Sequence, residues 1–423
     1  MIWLLIVIFA MVSIVAVFSS STYLANSHGV EKTAIFWGQI KLVGWGFLAV
    51  LVCSCIPLNW YRAISFIVFG VSLACLVMTF IPSFQVKING AIRGIKVFGK
   101  TFQVFEFAKI GLILYLARAL EKWQDSLDTF KDFALKLLLP VGVVCLLIMA
   151  NSFSSAILFG LISFLLMWFM DVKFKYLLIS AGGVVAAVLL MFSIYSIFYS
   201  GKEVKEGEKQ GSVEKIFNRF GTVEHRLKTY VAEIKGDDEL SADEMTPQQK
   251  QAELDNKRQS ENAKVAISEG GIIGKGPGKS TQRYSLSMAF SDFIYAFIVE
   301  EYGLFGGIVV LMLYTIFMFR CIRIATKCRT VYSGALVTGL AFLIGIQAML
   351  HIYVNVRLLP ITGHTLPLIS HGGTAFVVLS GAFGIILSVS KKLDKQEEEE
   401  RLALEAEQNA SIAPKEAENQ EYE

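Results

Sequence analysis

Residues 2–18 read IWLLIVIFAMVSIVAVF, without a single charged side chain. A helix needs about 20 mostly apolar residues to cross roughly 30 Å of hydrocarbon at 1.5 Å per residue. Nine further stretches of this kind follow, at about 34–56, 64–81, 105–120, 133–149, 155–170, 176–199, 292–319, 331–354 and 374–390. The fifth and sixth are short and separated only by 150–154, so a re-entrant pair is the alternative there. Backbone in hydrocarbon must satisfy its polar groups internally, which confines such a chain to spanning helices. The expected fold class is therefore all-α, a polytopic membrane protein with about ten transmembrane helices. Composition agrees: 54% of residues are apolar and 18% charged, against about 45–50% and 25% in soluble domains. That balance excludes a soluble enzyme, a disordered scaffold and a secreted disulfide domain. With 39 Lys and Arg against 36 Asp and Glu, the charge gives no argument for a nucleic-acid partner.

Lys and Arg in the short loops set the orientation. With a cytoplasmic N-terminus, 14 of them fall inside, among them Arg118, Lys122, Arg320, Arg323 and Lys391, and 7 fall outside. Both termini are expected in the cytoplasm. The first segment lacks a basic leader and a small-residue cleavage site, so it reads as a retained span. None of the six cysteines falls in an expected outside loop, and no disulfide framework follows. The chain divides into spans one to seven (1–199), a large extracytoplasmic loop between spans seven and eight (200–289), spans eight to ten (290–390) and a charged cytoplasmic tail (391–423). A loop of 90 residues is too long to be a mere connection. The tail, KKLDKQEEEERLALEAEQ, reads as a frayed helix or a disordered segment, with partner docking as the alternative.

Ionisable groups at membrane depth are costly and default to function. Gln103, Glu106 and Lys109 recur at i, i+3, i+6 on one helical face. They form either a structural ion pair or a polar cavity lining in which Lys109 meets an anionic headgroup. The preceding VKINGAIRGIKVFGKTF, with Lys87, Arg93, Lys96 and Lys100, reads as an interface-lying strand or short helix that anchors to membrane lipids. In EGGIIGKGPGKSTQR, Gly274, Gly276 and Gly278 permit tight turns. With Lys275, Lys279 and Arg283 they could cradle a phosphate or diphosphate, although the spacing is not a Walker motif and the loop taken by itself reads better as a flexible re-entry hinge. Asp292 opens the eighth apolar segment among apolar neighbours. It is either a partly desolvated base or, with Ser291, a helix cap. Glu300 and Glu301, two turns deeper, read as structural partners of neighbouring helices. Pro360, Gly363, Pro367, Gly372 and Gly373 break the segment between spans nine and ten, so it should wall a cavity. The five histidines lack metal-ligand spacing, and no metal ligand is assigned.

Three stretches together resemble the shape, elongation, division and sporulation family, which includes FtsW, RodA and SpoVE. They are NGAIRGIKVFGKTFQVFEFAK (89–109), AISEGGIIGKGPGKSTQ with SDFIYAFIVEEYGLFG (266–306), and LLPITGHTLPLISHGGT (358–374). TLPLIS before GGT, and GKGPGKSTQ, stand closer to its FtsW branch than to its RodA branch. The resemblance implies a peptidoglycan glycosyltransferase that polymerises the lipid-linked precursor lipid II during septal wall synthesis and cell division. It would lie in the bacterial cytoplasmic membrane and work with a class B penicillin-binding protein (a transpeptidase) and other division proteins. The family's aspartate in HTDFIFA falls on Asp292, its QPSEFAK pair on Glu106 and Lys109, and its loop RxxxF on Arg226 with Tyr230. Departures are Ser287, Met288 and Phe290 for Pro, Glu and His; Ser152 for a frequent aspartate; Val104 and Phe105 for Pro and Ser; His351, Tyr353 and Arg357 near residue 351; and His371 for the tyrosine of SYGG.

On that reading a sugar hydroxyl attacks the anomeric carbon of a lipid diphosphate. Asp292 is the expected base, and Arg226, Lys109, Lys275 and Arg283 are the expected cations at the diphosphate. A divalent cation, Mg or Mn, could assist. The glycine loop, Pro360, Pro367, Gly372, Gly373, Glu300 and Glu301 would shape the cavity. Two alternatives stand beside it: a lipid II flippase using Lys41, Glu106, Lys109, Glu300 and Glu301 as a polar path, and a non-catalytic scaffold for the partner synthase.

Overall fold

The structure is a computed structural model that describes residues 1–20, 32–88, 91–97, 99–198, 247–282 and 290–420. Its helices are α1 (Ile2–Ser20), α2 (Lys32–Cys55), α3 (Leu58–Met78), α4 (Val104–Trp123), α5 (Phe130–Met149), α6 (Phe153–Phe169), α7 (Phe174–Phe198), α8 (Pro247–Gly270), α9 (Ile294–Lys327), α10 (Val331–Asn355) and α11 (Thr374–Gln420). Each apolar stretch read from the sequence overlaps one of these helices. Seven of them, α1, α2, α3, α5, α9, α10 and α11, are long and apolar enough to cross a membrane. The apolar parts of α6 and α7 are shorter, and α4 carries Glu106, Lys109, Arg118, Glu121 and Lys122. Yet α4 is among the most buried helices. Its charges are tolerated because each cluster is paired: Lys109 with Glu106 at 2.6 Å, and Glu121 with Arg62 and Arg118 at 2.8 and 2.7 Å.

The interface-lying stretch of the sequence is a small sheet, which amends the all-α expectation. Strands β1 (Gln85–Ile88), β2 (Ala91–Val97) and β3 (Lys100–Gln103) pair antiparallel in the order β1-β2-β3. Ile88 opposes Ala91 and Val97 opposes Lys100. The strand β3 runs directly into α4, and the Gln103 amide donates to Thr374 Oγ1 at the start of α11 (2.9 Å).

Neighbouring helices of the bundle meet through small residues, as membrane helices do where hydrophobic drive between helices is absent. A Cβ on Gly111 would lie 2.7 Å from Ser72 Oγ, one on Gly339 2.6 Å from Ile113, and one on Gly384 2.6 Å from Cys53 Cβ. The start of α1 and the basic end of α9 share a cleft with Lys391 of α11, so both outer helices begin and leave at one end of the bundle. Beyond that end α11 continues as helix to Gln420, which replaces the disordered reading of the tail. Lys327 reaches its Glu397 at 2.8 Å, and Arg329 pairs with Glu400.

The eighth span differs from expectation. At Gly303 the backbone leaves helical geometry (φ 70°, ψ −171°). In a continuous helix Gly307 would stand about 12 Å from Val299 along the axis. Instead a Cβ on Gly307 would lie 2.9 Å from Val299 Cγ2 and 2.8 Å from Tyr295 Oη. The chain therefore reverses, and α9 consists of a short arm, 294–302, folded against a long arm, 304–327. The long arm by itself keeps the length that a crossing needs. The short arm climbs back toward the end of the bundle where α1 finishes, with Glu301 accepting from Ser19 Oγ (2.6 Å).

Candidate active site

Phe290–Phe293 is a turn, and helix begins only at Ile294. Every carbonyl of residues 290–292 is held from outside the turn. Phe290 O accepts from the His371 amide (3.0 Å), Ser291 O from Ser370 Oγ (2.7 Å) and Asp292 O from Asn355 Nδ2 (3.1 Å). The first-turn amide of Ala296 donates to Asn355 Oδ1 at 3.0 Å. Capping of the short arm thus comes across the bundle from α10, and the Ser291-Asp292 cap, one of the two readings the sequence left open, is not how this helix begins. Ser291 Oγ donates to Asp292 Oδ1 at 3.1 Å, and Asp292 is 7% exposed.

The turn lies inside the bundle, below the end of α1. Ser13 Oγ donates to Ile369 O (2.8 Å) beside the residues that hold the turn. Ser13 stands seven residues before the end of α1, about 10 Å in along its axis. The segment 356–373 that accompanies the turn is irregular backbone, and its stretch 364–370 is largely buried by protein, the condition under which a membrane protein tolerates such backbone. Leu366, Leu368 and Ile369 are buried, Ser370 Oγ accepts from the Leu366 amide (2.8 Å), and Tyr314 donates its hydroxyl proton to Pro367 O. Leu368 has φ 59°, a left-handed geometry that bulky residues seldom adopt and that tends to persist at functional sites. Pro360 and Gly363 precede this stretch, and Gly372 and Gly373 close it before α11.

The side chains that organise this wall form a stripe on α10 at i, i+4, i+8: Gln347, His351 and Asn355, all buried. Gln347 Oε1 accepts from Lys109 Nζ (2.8 Å), and its Nε2 donates to Thr365 O (3.2 Å). The His351 Nδ1 proton goes to His364 O (2.8 Å). Glu106 and Lys109 are thus an ion pair inside the bundle, 7% and 2% exposed, with Glu106 Oε2 buried and unbonded. From Gln347 to Asn355 is eight residues, so Lys109 sits about 12 Å further into the bundle than Asp292. The stripe was the legible signal that sequence reading passed over. Asn355, Gln347, Gln39 and Ser370 were not singled out there.

The glycine loop occupies the other end of the short arm. Gly274, Gly276 and Gly278, expected to turn amides toward a phosphate, use them inside the protein. Gly274 N donates to Gly270 O, Gly276 N to Glu301 O and Gly278 N to the Glu301 carboxylate, all at 2.8–2.9 Å. In return Leu304 N donates to Gly271 O (2.9 Å), so the loop completes the backbone that the break at Gly303 leaves open. Glu300 accepts from the amides of Thr281 (2.8 Å) and Gln282 (3.2 Å), from Lys275 Nζ (3.1 Å) and from Ser280 Oγ. Glu300 and Glu301 therefore hold the loop, with Ser19 the neighbouring-helix partner. Lys275 also pairs with Glu269 and Thr281. Partial burial opposes its charge, but the hydrogen bonds to Glu269 and Glu300 prevail and raise its pKa. The Lys275 bond in turn lowers that of Glu269.

The structure thus sets Asp292 in the turn that opens the short arm carrying Glu300 and Glu301, ties Lys109 and Glu106 to the same wall through α10, and sets Lys275 one arm-length from Asp292. Arg226 and Arg283 lie outside the described residues, as does Tyr230. Among the described residues no three His, Cys, Asp or Glu side chains are grouped to hold a metal ion.

Known proteins match this chain over nearly all its length. A Bacillus subtilis protein named "Probable peptidoglycan glycosyltransferase FtsW" is 30% identical over 388 residues, 89% of this chain and 86% of that one. A Geobacter sulfurreducens protein of the same name is 27% identical over 384 residues, 90% and 91% of the two chains. Among solved structures, a chain of a peptidoglycan synthase complex that coordinates polymerization and crosslinking superposes with a TM-score of 0.67 at 20% identity, covering 92% of this chain and 98% of that one. Thermus thermophilus RodA, a rod shape determining protein, gives 0.60 at 19%, covering 92% and 95%. The sequence profile described as "Cell cycle protein" matches residues 1–206 and 247–395, and with that match the chain belongs to the FtsW/RodA/SpoVE family of multi-pass membrane proteins.

Proposed function

We propose that this chain is a peptidoglycan glycosyltransferase that polymerises lipid II, with Asp292 as the base. The observation that carries the reading is the immobilised turn: a carboxylate at membrane depth, on backbone fixed at three successive carbonyls, in a family whose relatives bear that enzyme's name. A lipid-anchored substrate places its reactive sugar near the bilayer surface, and a base below the rim meets it without leaving the membrane. Asp292 takes the proton of the attacking hydroxyl while the anomeric carbon loses its bond to the diphosphate. Lys109 and Lys275 are already engaged by carboxylates, so the reading assigns the departing diphosphate to Arg226 and Arg283. A divalent cation, Mg or Mn, belongs to this reading as an ion arriving on the diphosphate, where it would supply charge neutralisation.

The charges that a flippase path would use satisfy one another, Glu106 with Lys109 and Glu300 with the loop, which supports the enzyme over the transporter. On the same reading the partner is a class B penicillin-binding protein, the role is septal, and the basic end of the bundle with the tail faces the cytoplasm. The test is polymerisation of lipid II by the purified protein with its partner synthase. Asp292→Asn should lower the rate by about 10²–10⁴, the range of a positioned base, while still co-purifying with the partner. Polymer at the wild-type rate in that variant would overturn the assignment.

A further inference from the structure

His371 stands where the family resemblance has a tyrosine, and its hydrogen bonds fix its chemistry. Ile369 O can only accept, so Ser13 Oγ must donate to it (2.8 Å). The Ser13 oxygen therefore accepts from Gln39 Nε2 (2.8 Å), which leaves Gln39 Oε1 as the atom facing His371 Nδ1. The proton of a neutral imidazole must then sit on Nδ1, and Nε2 keeps its lone pair. Gln39 and Ser13 are wholly buried, so the ring is held from behind. The ring itself is half-buried, and no described group bonds Nε2. Its own amide binds Phe290 O, and its edge meets the Phe290 ring at 6.0 Å between centroids, which places it beside the Asp292 turn.

Asp292 is 7% exposed, so a proton collected there has little water to leave by. We propose that His371 is the proton outlet of Asp292, accepting at Nε2 the proton that Asp292 removes from the attacking hydroxyl. This rests on the glycosyltransferase reading. In each cycle the hydroxyl oxygen bonds to the anomeric carbon, and the bond from that carbon to the diphosphate breaks with its electron pair on the diphosphate. The proton goes to the Asp292 carboxylate, then to His371 Nε2, then to water, and both groups are restored. His371 touches neither sugar, so its role is to turn the base over.

The geometry dictates a pH signature. Turnover needs neutral His371, so the rate falls as pH drops through its pKa, and burial holds that pKa below 6.5. The ionisable groups on the elements around it are Asp292 of the turn, Arg357 and His364 of the same segment, and His351 and Tyr353 of α10. From α1 and α2 the ring is approached by the neutral Ser13 and Gln39, and Lys41 is exposed on α2.

The experiment is lipid II polymerisation against pH by the intact protein with its partner synthase, comparing wild type, His371→Gln, Gln39→Glu and Asp292→Asn. His371→Gln should lower kcat about ten- to a hundredfold with KM unchanged, and its acid limb should move to lower pH. Gln39→Glu keeps the imidazole and places a carboxylate on Nδ1, so the acid limb should move up by about one unit. Should His371→Gln fail to fold, the Gln39→Glu shift alone decides. Active variants with the wild-type pH profile, while Asp292→Asn is inactive, overturn the outlet and leave the enzyme reading intact. Wild-type activity retained by Asp292→Asn overturns both.

Discussion

Lys109 and Glu106 illustrate how a buried charge is held at the scale of single side chains. Both are nearly inaccessible, and Gln347 accepts a second hydrogen bond from the ammonium. Removing one partner of such a pair costs about 3–5 kcal/mol, because the other charge stays buried alone, whereas replacing both with apolar residues is often neutral. Lys109→Met should therefore lower Tm clearly, and Lys109→Met with Glu106→Leu should recover most of the loss in thermal unfolding of the detergent-solubilised protein. A headgroup-binding role for Lys109 instead predicts that both variants lose polymerisation alike, with little change in Tm. At this scale the sequence was informative. Glu106 and Lys109 share a face by i, i+3 spacing alone, and Asp292 drew notice because an acid among Phe, Ile and Ala is expensive. Gln347 as the third partner was not legible, since it lies 238 residues away.

The element that most shapes the site is the broken helix α9. Its arms part at Gly303, and the glycine loop fits the break at backbone distance. A Cβ on Gly274 would lie 2.3 Å from Glu301 O, and one on Gly303 2.2 Å from Ile272 O, with positive φ at both. No L side chain satisfies either demand without moving the loop. Gly274→Ala and Gly303→Ala should each destabilise by about 3 kcal/mol or more, and limited proteolysis should then cut near residues 270–282. Gly38→Ala, with open space around its Cβ, should leave Tm unchanged. The sequence EEYGLFGG gave no hint of the reversal, because the apolar run continues through it. The five glycines were visible, but their partner was the protein's own opened backbone rather than a ligand. Nothing in a local pattern separates these two uses.

For the whole molecule, the bundle sets apart an end where α1 begins and α11 leaves from an end that carries the sheet, the loop and the short arm. Ion pairs at the first end, Lys327–Glu397 and Arg329–Glu400, join groups more than half exposed, and such pairs are worth about 0–1 kcal/mol. Glu397→Gln with Glu400→Gln should accordingly leave Tm within about a degree of wild type. The polymerisation rate should also be unchanged, because the Asp292 turn lies toward the opposite end.

What the sequence determined by itself was the class of fold and the suspect residue. Apolar runs long enough for a bilayer admit few solutions other than helices, and an acid set among them announces its own cost. What only the tertiary structure decided was the company each polar group keeps: Asn355 capping the short arm from another helix, Glu300 and Glu301 holding the loop, and Gln39 setting the tautomer of His371. Burying a helix is a local demand that periodicity records. Satisfying a buried donor or acceptor is settled by whichever group the packing delivers, from about 20 to more than 300 residues away in these cases.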